Sequence, residues 1–248
     1  MSEAKYISEI RFKGNLDRTS YLNTLPVIKY LSEKSKISLN KSVTFLVGEN
    51  GTGKSTLIEA IAVAYGFNPE GGSINFNFAT RKTHSELWEY LTIVKRGYPK
   101  TGFFLRAESL YNVATNIDEL DEIPSFSGPI IASYGGVSLH EQSHGESFLS
   151  IVKNRFGGQG LYILDEPEAA LSPMKLLTLI ARINQLVEDG SQFIIATHSP
   201  MLMAFPNAEI LELTETGIES VKYKETEHYR ITKSFLDDPE RMLSFLIQ

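Results

Sequence analysis

The sequence predicts an α/β fold: a mainly parallel core sheet flanked by helices, with an antiparallel β region and a separate helical region beside it. Three observations carry that prediction. The β-branched and aromatic run Val43-Thr44-Phe45-Leu46-Val47 enters a glycine-rich loop, and Leu57, Ile58, Ile61, Ala62 and Tyr65 then recur at helical spacing until Gly66. A second apolar run, Gly160-Leu161-Tyr162-Ile163-Leu164, ends in Asp165-Glu166-Pro167-Glu168. A third, Gln192-Phe193-Ile194-Ile195-Ala196, ends in Thr197-His198-Ser199-Pro200. Short, continuously apolar runs are what the strands of a parallel sheet look like, because helices cover both of its faces.

The chain of 248 residues is long enough for one large α/β domain. At 42% hydrophobic and 22% charged it can bury a full core. No apolar run is long enough to span a bilayer and the start Met1-Ser2-Glu3-Ala4-Lys5 has no apolar stretch, so a cytoplasmic protein without membrane insertion is expected. Zero cysteines exclude disulfides, thiolate metal sites and cysteine nucleophiles, leaving oxygen or imidazole ligands for any metal. A net charge of −6 gives no support to a strongly basic nucleic-acid surface.

Along the chain, Tyr6 to Lys13 reads as an opening strand ending at Gly14-Asn15, and Asp17 to Leu31 as a loop and short helix. Tyr21 in this segment is a candidate to stack on a base, the alternative being an ordinary packing tyrosine. Asn68 to Thr83 is expected to be irregular around Gly71-Gly72. Leu87–Val94 and Phe103–Arg106, on either side of the turn-rich Gly97–Gly102, predict a hairpin, with Glu108 or Ser109 brought near the loop if that hairpin joins the sheet. Asp118 to Glu122 is expected to be a solvated acidic loop. Ser143 and Glu146 form an S-x-x-E capping box opening a helix through Phe148, Ile151, Val152 and Arg155.

A further helix is expected from Pro173 through Leu186. The tail is expected to hold a hairpin (Glu209–Leu213, Ile218–Tyr223) and two short helices, Thr232–Leu236 and Glu240–Leu246, and no recognisable chemistry.

Gly48-Glu49-Asn50-Gly51-Thr52-Gly53-Lys54-Ser55 is a complete G-x-x-x-x-G-K-S/T loop in the strand-to-helix setting that such a loop needs. Its glycines let successive N–H groups face a phosphate, and the following helix, entered through Ser55 and Thr56, adds its dipole. Lys54 would reach the β- and γ-phosphates and Ser55 would ligate Mg²⁺. Asp165 at the end of its apolar run would hold Mg²⁺, and Glu166 would polarise an attacking water. His198, at the C-terminal end of an expected parallel strand, would face the ligand edge of the sheet as a γ-phosphate contact.

Taken in order, the glycine-rich loop, the Ser143-His144-Gly145-Glu146 stretch, Leu161–Glu168 and Ala196–Pro200 resemble the Walker A, signature, Walker B and switch-histidine motifs of ABC-type ATPases. The wording Asp165-Glu166-Pro167-Glu168 followed by Leu171-Ser172-Pro173, and Thr197-His198-Ser199-Pro200, is more similar to RecF- and SMC-related ATPases than to transporter subunits, and the overall layout, including the run Phe103–Ser109 and the tail from Glu227 to Leu243, is similar to small stand-alone bacterial ATPases. Two departures stand out. Gln142-Ser143-His144-Gly145-Glu146 replaces the family's Leu-Ser-Gly-Gly-Gln, and Glu108 is the nearest match to the glutamine that contacts metal and water. With 88 positions between Ser55 and Ser143, no long coiled-coil arm fits there.

The resemblance implies a P-loop NTPase of the ABC ATPase head type, a single domain over residues 1–248. Its nucleotide-binding core would be about 1–80 and 150–225, with a hairpin and signature region inserted at about 81–149 and a helical tail at 226–248. It implies ATP and Mg²⁺ as cofactors and hydrolysis at a homodimer interface, each nucleotide held between one P-loop and the partner's signature residues. The client would be an unidentified protein or nucleic acid, in DNA repair or phage defence. Two alternatives remain open: the nucleotide-binding subunit of a membrane transporter, and an ATP-dependent binding switch with little turnover.

Overall fold

The structure, a computed structural model, describes residues 6–14, 16–17, 19–74, 85–122 and 128–247. It opens with strand β1, Ile7–Phe12, and helix α1, Pro26–Lys34, which starts on proline at its first turn and ends on Ser35 in the left-handed region. Strand β2, Lys36–Ser38, precedes β3, Val43–Gly48, every residue of which is buried. Helix α2, Lys54–Tyr65, follows the glycine-rich loop and stops at Gly66, whose N–H bonds the carbonyls of Ala62 (3.1 Å) and Val63 (3.0 Å). It is apolar nearly all round because it lies between the central sheet and a second, smaller sheet.

The next elements overturn two expectations. Strands β4 (Gly72–Ser73), β5 (Leu91–Lys95) and β6 (Thr101–Arg106) follow, but β5 and β6 do not pair. β5 joins β1 and β2 in an antiparallel three-stranded sheet, while β6 lies parallel to β7, Gly160–Asp165, inside the central sheet. Composition separates the two strands. β5 is only partly covered, whereas Gly102-Phe103-Phe104-Leu105 is fully buried and suits an interior parallel strand. Residues 87–90, read as strand, lie in the 3₁₀ turn Glu86–Tyr90. Of the segment expected to be irregular, residues 75–83 lie outside the described residues.

The acidic loop is also replaced, by the end of helix α3, Leu110–Asp121. Leu110, Val113, Ala114 and Ile117 give it a buried stripe that overrides the acidic composition of its last turn. The acids there have defined work: Asp121 accepts the N–H groups of Ile130 and Ile131, and Asp118 accepts the Ser138 hydroxyl at 2.9 Å.

Helices α4 (His144–Arg155) and α5 (Pro173–Glu188) and strand β8 (Gln192–Ala196) stand where the sequence puts them, and a short helix α6 (Pro200–Met203), not expected from the sequence, follows β8. β9 (Glu209–Thr214) and β10 (Gly217–Ser220) form the expected antiparallel pair, and α7 (Glu227–Asp237) and α8 (Pro239–Leu246) complete the tail.

The central sheet has the order β10-β9-β3-β8-β7-β6-β4, with β9, β3, β8, β7 and β6 mutually parallel. Alternate side chains feed two cores. Phe45, Val47, Tyr162, Leu164, Phe193 and Ile195 face α3, α4 and α5, whereas Leu46, Leu161, Ile163, Ile194 and Ala196 face α1, α2 and the smaller sheet. Buried Gln192 ties the two sheets together. Its carbonyl oxygen accepts the N–H groups of Tyr6 (2.6 Å) and Ile7 (2.9 Å), and its amide donates to the Ile7 carbonyl at 2.8 Å. Because five strands run parallel, the C-terminal ends of β3, β7 and β8 share one edge, where a ligand crevice belongs. No helix among the described residues is long and apolar enough to cross a membrane.

Candidate nucleotide site

The loop between β3 and α2 turns on glycines in the left-handed region, and two of them are required by neighbours as well as by φ. A Cβ on Gly48 (φ 140°) would fall 2.2 Å from the Leu213 carbonyl oxygen, and one on Gly53 (φ 96°) would fall 2.6 Å from Val27 Cγ1. At Gly51 no heavy atom of a neighbouring segment lies within 4 Å of that position, so the backbone there is open to a ligand. Glu49, Asn50 and Gly51 are exposed, and Thr52, Gly53 and Lys54 are buried beneath them. The loop is internally braced. The Thr52 hydroxyl and the Lys54 ammonium both donate to the Glu49 carbonyl, at 2.8 and 2.7 Å. The Lys54, Ser55 and Thr56 N–H groups open α2 and have no carbonyl one turn back, whereas Leu57 N–H bonds Gly53 at 2.8 Å. An anion at this helix start meets donors and a favourable dipole.

Across the β8 strand lies Asp165, at the end of β7. The Ser55 hydroxyl is 3.3 Å from Asp165 Oδ1, so two residues 110 positions apart face each other. Burial pushes the Asp165 carboxyl up to about 6; Arg106 opposes the shift, and Glu166 adds to it. Burial also lowers the Lys54 ammonium, against the pull of Glu166, Asp165, Glu168 and Glu49.

Arg106, which the sequence reading passed over, organises the acids. It pairs through Nη1 with Glu59 of α2 (2.8 Å), through Nη2 with Glu108 (3.1 Å) and through Nε with Asp165 Oδ2 (3.4 Å). Its register position opposite Asp165 on the neighbouring strand was the available signal, and that needs the β6–β7 pairing that the hairpin reading denied. Glu108 does come to this edge, but its carboxylate, 74% exposed, bonds Arg106 and makes no bond to Ser55 or Asp165.

Glu166 follows in the left-handed region (φ 49°, ψ 52°), held there by its N–H bond to the Ala196 carbonyl at 3.0 Å. For a residue with a side chain this conformation costs about 1–2 kcal/mol. It brings the carboxylate to 3.6 Å from His198 Nε2. Glu168, half-buried, accepts the His198 N–H and so fixes the end of β8. His198 Nδ1 lies 2.9 Å from Nε2 of His228, on α7. The tail therefore enters the site, which corrects the expectation that it carries no chemistry. Nothing in the sequence around His228 marks it, because only the chain reversal after β10 brings it to β8. Burial lowers the His198 pKa to about 4, with Lys54 and His228 adding to the shift, and burial lowers that of His228 as well.

Two predicted groups stand apart from this cluster. Tyr21 is 60% exposed on a 3₁₀ turn, not a packing tyrosine, and the same segment packs Leu25 and Val27 against Gly53. Ser143 caps α4: its N–H donates to Glu146 at 3.0 Å and its hydroxyl donates to the same carboxylate, which lies below the usual carboxylate range because of those two bonds. Gly145 is close against the turn before α5 and its first residues, since a Cβ would fall 2.8 Å from the Ala170 carbonyl oxygen and 3.1 Å from Lys175 Cδ. His144 Nε2 approaches the Ala107 carbonyl at 3.4 Å. Among the described residues, no hydrogen bond or ion pair joins residues 143–146 to residues 48–55.

Residues 27–102 match the family described as "AAA domain", and residues 137–204 the family described as "AAA domain, putative AbiEii toxin, Type IV TA system". The ribose import ATP-binding protein RbsA of Bacillus cereus is 30% identical over 169 residues, which are 62% of this chain and 34% of that protein. The chain thus spans about a third of the length of this relative. The cytochrome c biogenesis ATP-binding export protein CcmA of Legionella pneumophila is 28% identical over 165 residues, 63% of this chain and 78% of that protein. Among solved structures, a "putative metal-chelate type ABC transporter" in an inward-facing conformation is similar with a TM-score of 0.50 and 16% identity, over 92% of this chain and 88% of that one. That likeness is one of fold.

Proposed function

We propose, for a chain that is an ABC-type P-loop ATPase by fold and by motif, that it binds ATP with Mg²⁺, hydrolyses it, and closes as a homodimer around the nucleotide. The observation that carries this reading is the Ser55–Asp165 approach at 3.3 Å, with Lys54 and the Glu166–His198 pair as its electrostatic neighbours. A hydroxyl and a carboxylate are hard oxygen donors of the kind Mg²⁺ takes. When bound there, the ion would neutralise charge on the β- and γ-phosphate oxygens.

The chain's own groups supply the rest. The loop amides and Lys54 hold the phosphates and stabilise the charge that collects on the β–γ bridging oxygen as its bond to phosphorus breaks. A water attacks the γ-phosphorus and gives its proton to the Glu166 carboxylate, yielding ADP and phosphate. His198 contacts the γ-phosphate. Glu108, paired with Arg106, is the candidate to contact the metal-bound side of the site, and the exposed Tyr21 ring is the candidate for adenine stacking.

The dimer reading is supported by the exposed N-terminus of α4. Ser143, His144, Gly145 and Glu146 offer donors and helix dipole that a partner's γ-phosphate could use once Glu146 releases its cap. Lys54→Ala and Ser143→Arg should each be inactive alone. Mixed after subunit exchange, they should regain part of the phosphate-release rate, because one site then joins an intact loop to an intact α4. No recovery in an exchanging mixture, and none in a covalently linked dimer with one wild-type half, sinks the shared site.

The nucleotide state would be coupled to a client. We place the chain with stand-alone ATPases acting on a protein or nucleic-acid client, in repair or phage defence, and treat it as a single domain. The relatives named for import and export favour a second reading, a subunit serving a membrane permease. Copurification discriminates: a permease in detergent extracts supports the second, nucleic acid or a soluble effector the first.

A further inference from the structure

Among the described residues of the tail, His228 is the one whose side chain bonds His198, and the tail holds it there by its first turn. The Thr226 hydroxyl caps α7 by accepting Tyr229 N–H at 3.3 Å, Thr226 itself is fully buried, and the Tyr223 and Tyr229 rings pack with centroids 4.6 Å apart. Beyond that turn the helix is open, with Ile231, Phe235 and Leu236 exposed.

Two neutral imidazoles can share one hydrogen bond in only two ways. If His198 Nδ1 donated to His228 Nε2, the bare lone pair of His198 Nε2 would face the Glu166 carboxylate 3.6 Å away. If His228 Nε2 donates to His198 Nδ1, His198 carries its hydrogen on Nε2, and an N–H faces that carboxylate instead. The second arrangement is electrostatically favourable at the Glu166 end. At the other end it leaves His228 Nδ1 bare, and no acceptor among the described residues is within bonding reach of that atom. His198 Nε2 likewise has no bonded partner in the ligand-free chain, so its N–H stays available to an incoming acceptor. Burial keeps both rings neutral near pH 7, which the two-tautomer choice requires.

We propose that His228 is a positioning residue: by donating from Nε2 it locks His198 in the Nε2–H tautomer, aiming a donor at Glu166 and, on the ATPase reading above, at the γ-phosphate. A phosphate presents only acceptors there, so the opposite tautomer would meet it with a lone pair. The tail is thus wired to hydrolysis through one hydrogen bond.

The tautomer is read without nucleotide. Uniformly ¹⁵N-labelled protein, with its five histidines assigned by single substitutions, gives the protonated ring nitrogen of each in long-range ¹H–¹⁵N correlation spectra. Wild type should show His198 protonated on Nε2; a proton on Nδ1 overturns the proposal outright. His228→Leu should give mixed tautomers and about a tenfold or greater loss in kcat, with the ATP dissociation constant within twofold. In His228→Gln the amide nitrogen stands close to where Nε2 was, and most of the rate and the Nε2–H tautomer should return. A leucine variant that turns over at the wild-type rate, or a glutamine variant no better than leucine, also overturns it. Absence of ATPase activity in the wild type would instead remove the hydrolytic reading while leaving the tautomer measurement to decide the hydrogen bond.

Discussion

The two halves of the site are built by opposite means. The half proposed to face phosphate is one contiguous segment, Gly48 to Ser55, and its side chains brace it from within: Thr52 and Lys54 bond the Glu49 carbonyl and the glycines fit their neighbours. The water-facing half draws Glu166 and Glu168 from the end of β7, His198 from the end of β8 and His228 from α7, with 30 positions from Glu168 to His198 and 30 more to His228. It holds the strained Glu166 backbone and three buried polar atoms without partners: His198 Nε2, His228 Nδ1 and Glu168 Oε2. An internally braced cradle that keeps the Lys54, Ser55 and Thr56 N–H groups free can take an anion at little reorganisation cost, whereas unused side-chain bonding capacity beside a carboxylate is what a water and a reacting phosphoryl group can take up. On the proposed function, the contrast separates holding from reacting.

The comparison predicts that substitutions in the second half remove turnover and spare binding. Glu166→Gln should show it most strongly, since the amide keeps the shape but cannot accept the proton; kcat should fall about 10²- to 10⁴-fold. ATP binding should survive, and ATP should trap a dimer visible by size-exclusion chromatography. A variant that keeps turning over, or one that loses ATP, would break the division of labour.

Lys54→Ala is the counterpart in the first half. Its ammonium should serve phosphate rather than core, so ATP should bind roughly ten- to a hundredfold more weakly, the equivalent of about 1.5–3 kcal/mol for a charged hydrogen bond. Unfolding of the variant, or an unchanged dissociation constant, would count against the cradle as the binding half.

Asp165 lies at the seam, and there the smallest effect is expected, on stability. Its native pKa is raised to about 6 from an ordinary 3.8, so above pH 6 the folded chain carries a carboxylate less comfortable than in the unfolded chain. The sign follows: between 3.8 and about 6 the native state binds more protons, and stability falls as pH rises through that window. Asp165→Asn should therefore raise the thermal midpoint at pH 7.5 without Mg²⁺ or nucleotide, by an equivalent of on the order of 2 kcal/mol. The gain should shrink as pH drops below about 6. A destabilised variant at pH 7.5 would show that the Ser55 and Arg106 contacts outweigh burial.

The same contrast explains what could be read in advance. The cradle was legible because phosphate binding by backbone needs glycines, a lysine and a helix start at fixed short spacing, and Gly48, Gly53, Lys54 and Ser55 meet those demands within eight residues. Asp165, Glu166 and His198 were legible as acids and an imidazole just past buried strands, since in a parallel sheet strand ends meet at one edge. By itself, then, the sequence determined the α/β class, the order of the core strands along the chain and the residues at their ends.

Tertiary structure alone decided the rest. Whether the run at Phe103 turned back on Leu91–Lys95 or crossed to β7 depended on a competition between a local turn and burial among distant strands, and burial won. That choice set Arg106 against Asp165. His228 has no local signature, because its role comes from a hydrogen bond formed 30 residues away, after β9, β10 and the first turn of α7 have fixed the path. Short-range spacing encodes groups that act through their own backbone, whereas side chains that act through one another are positioned only by packing between distant segments.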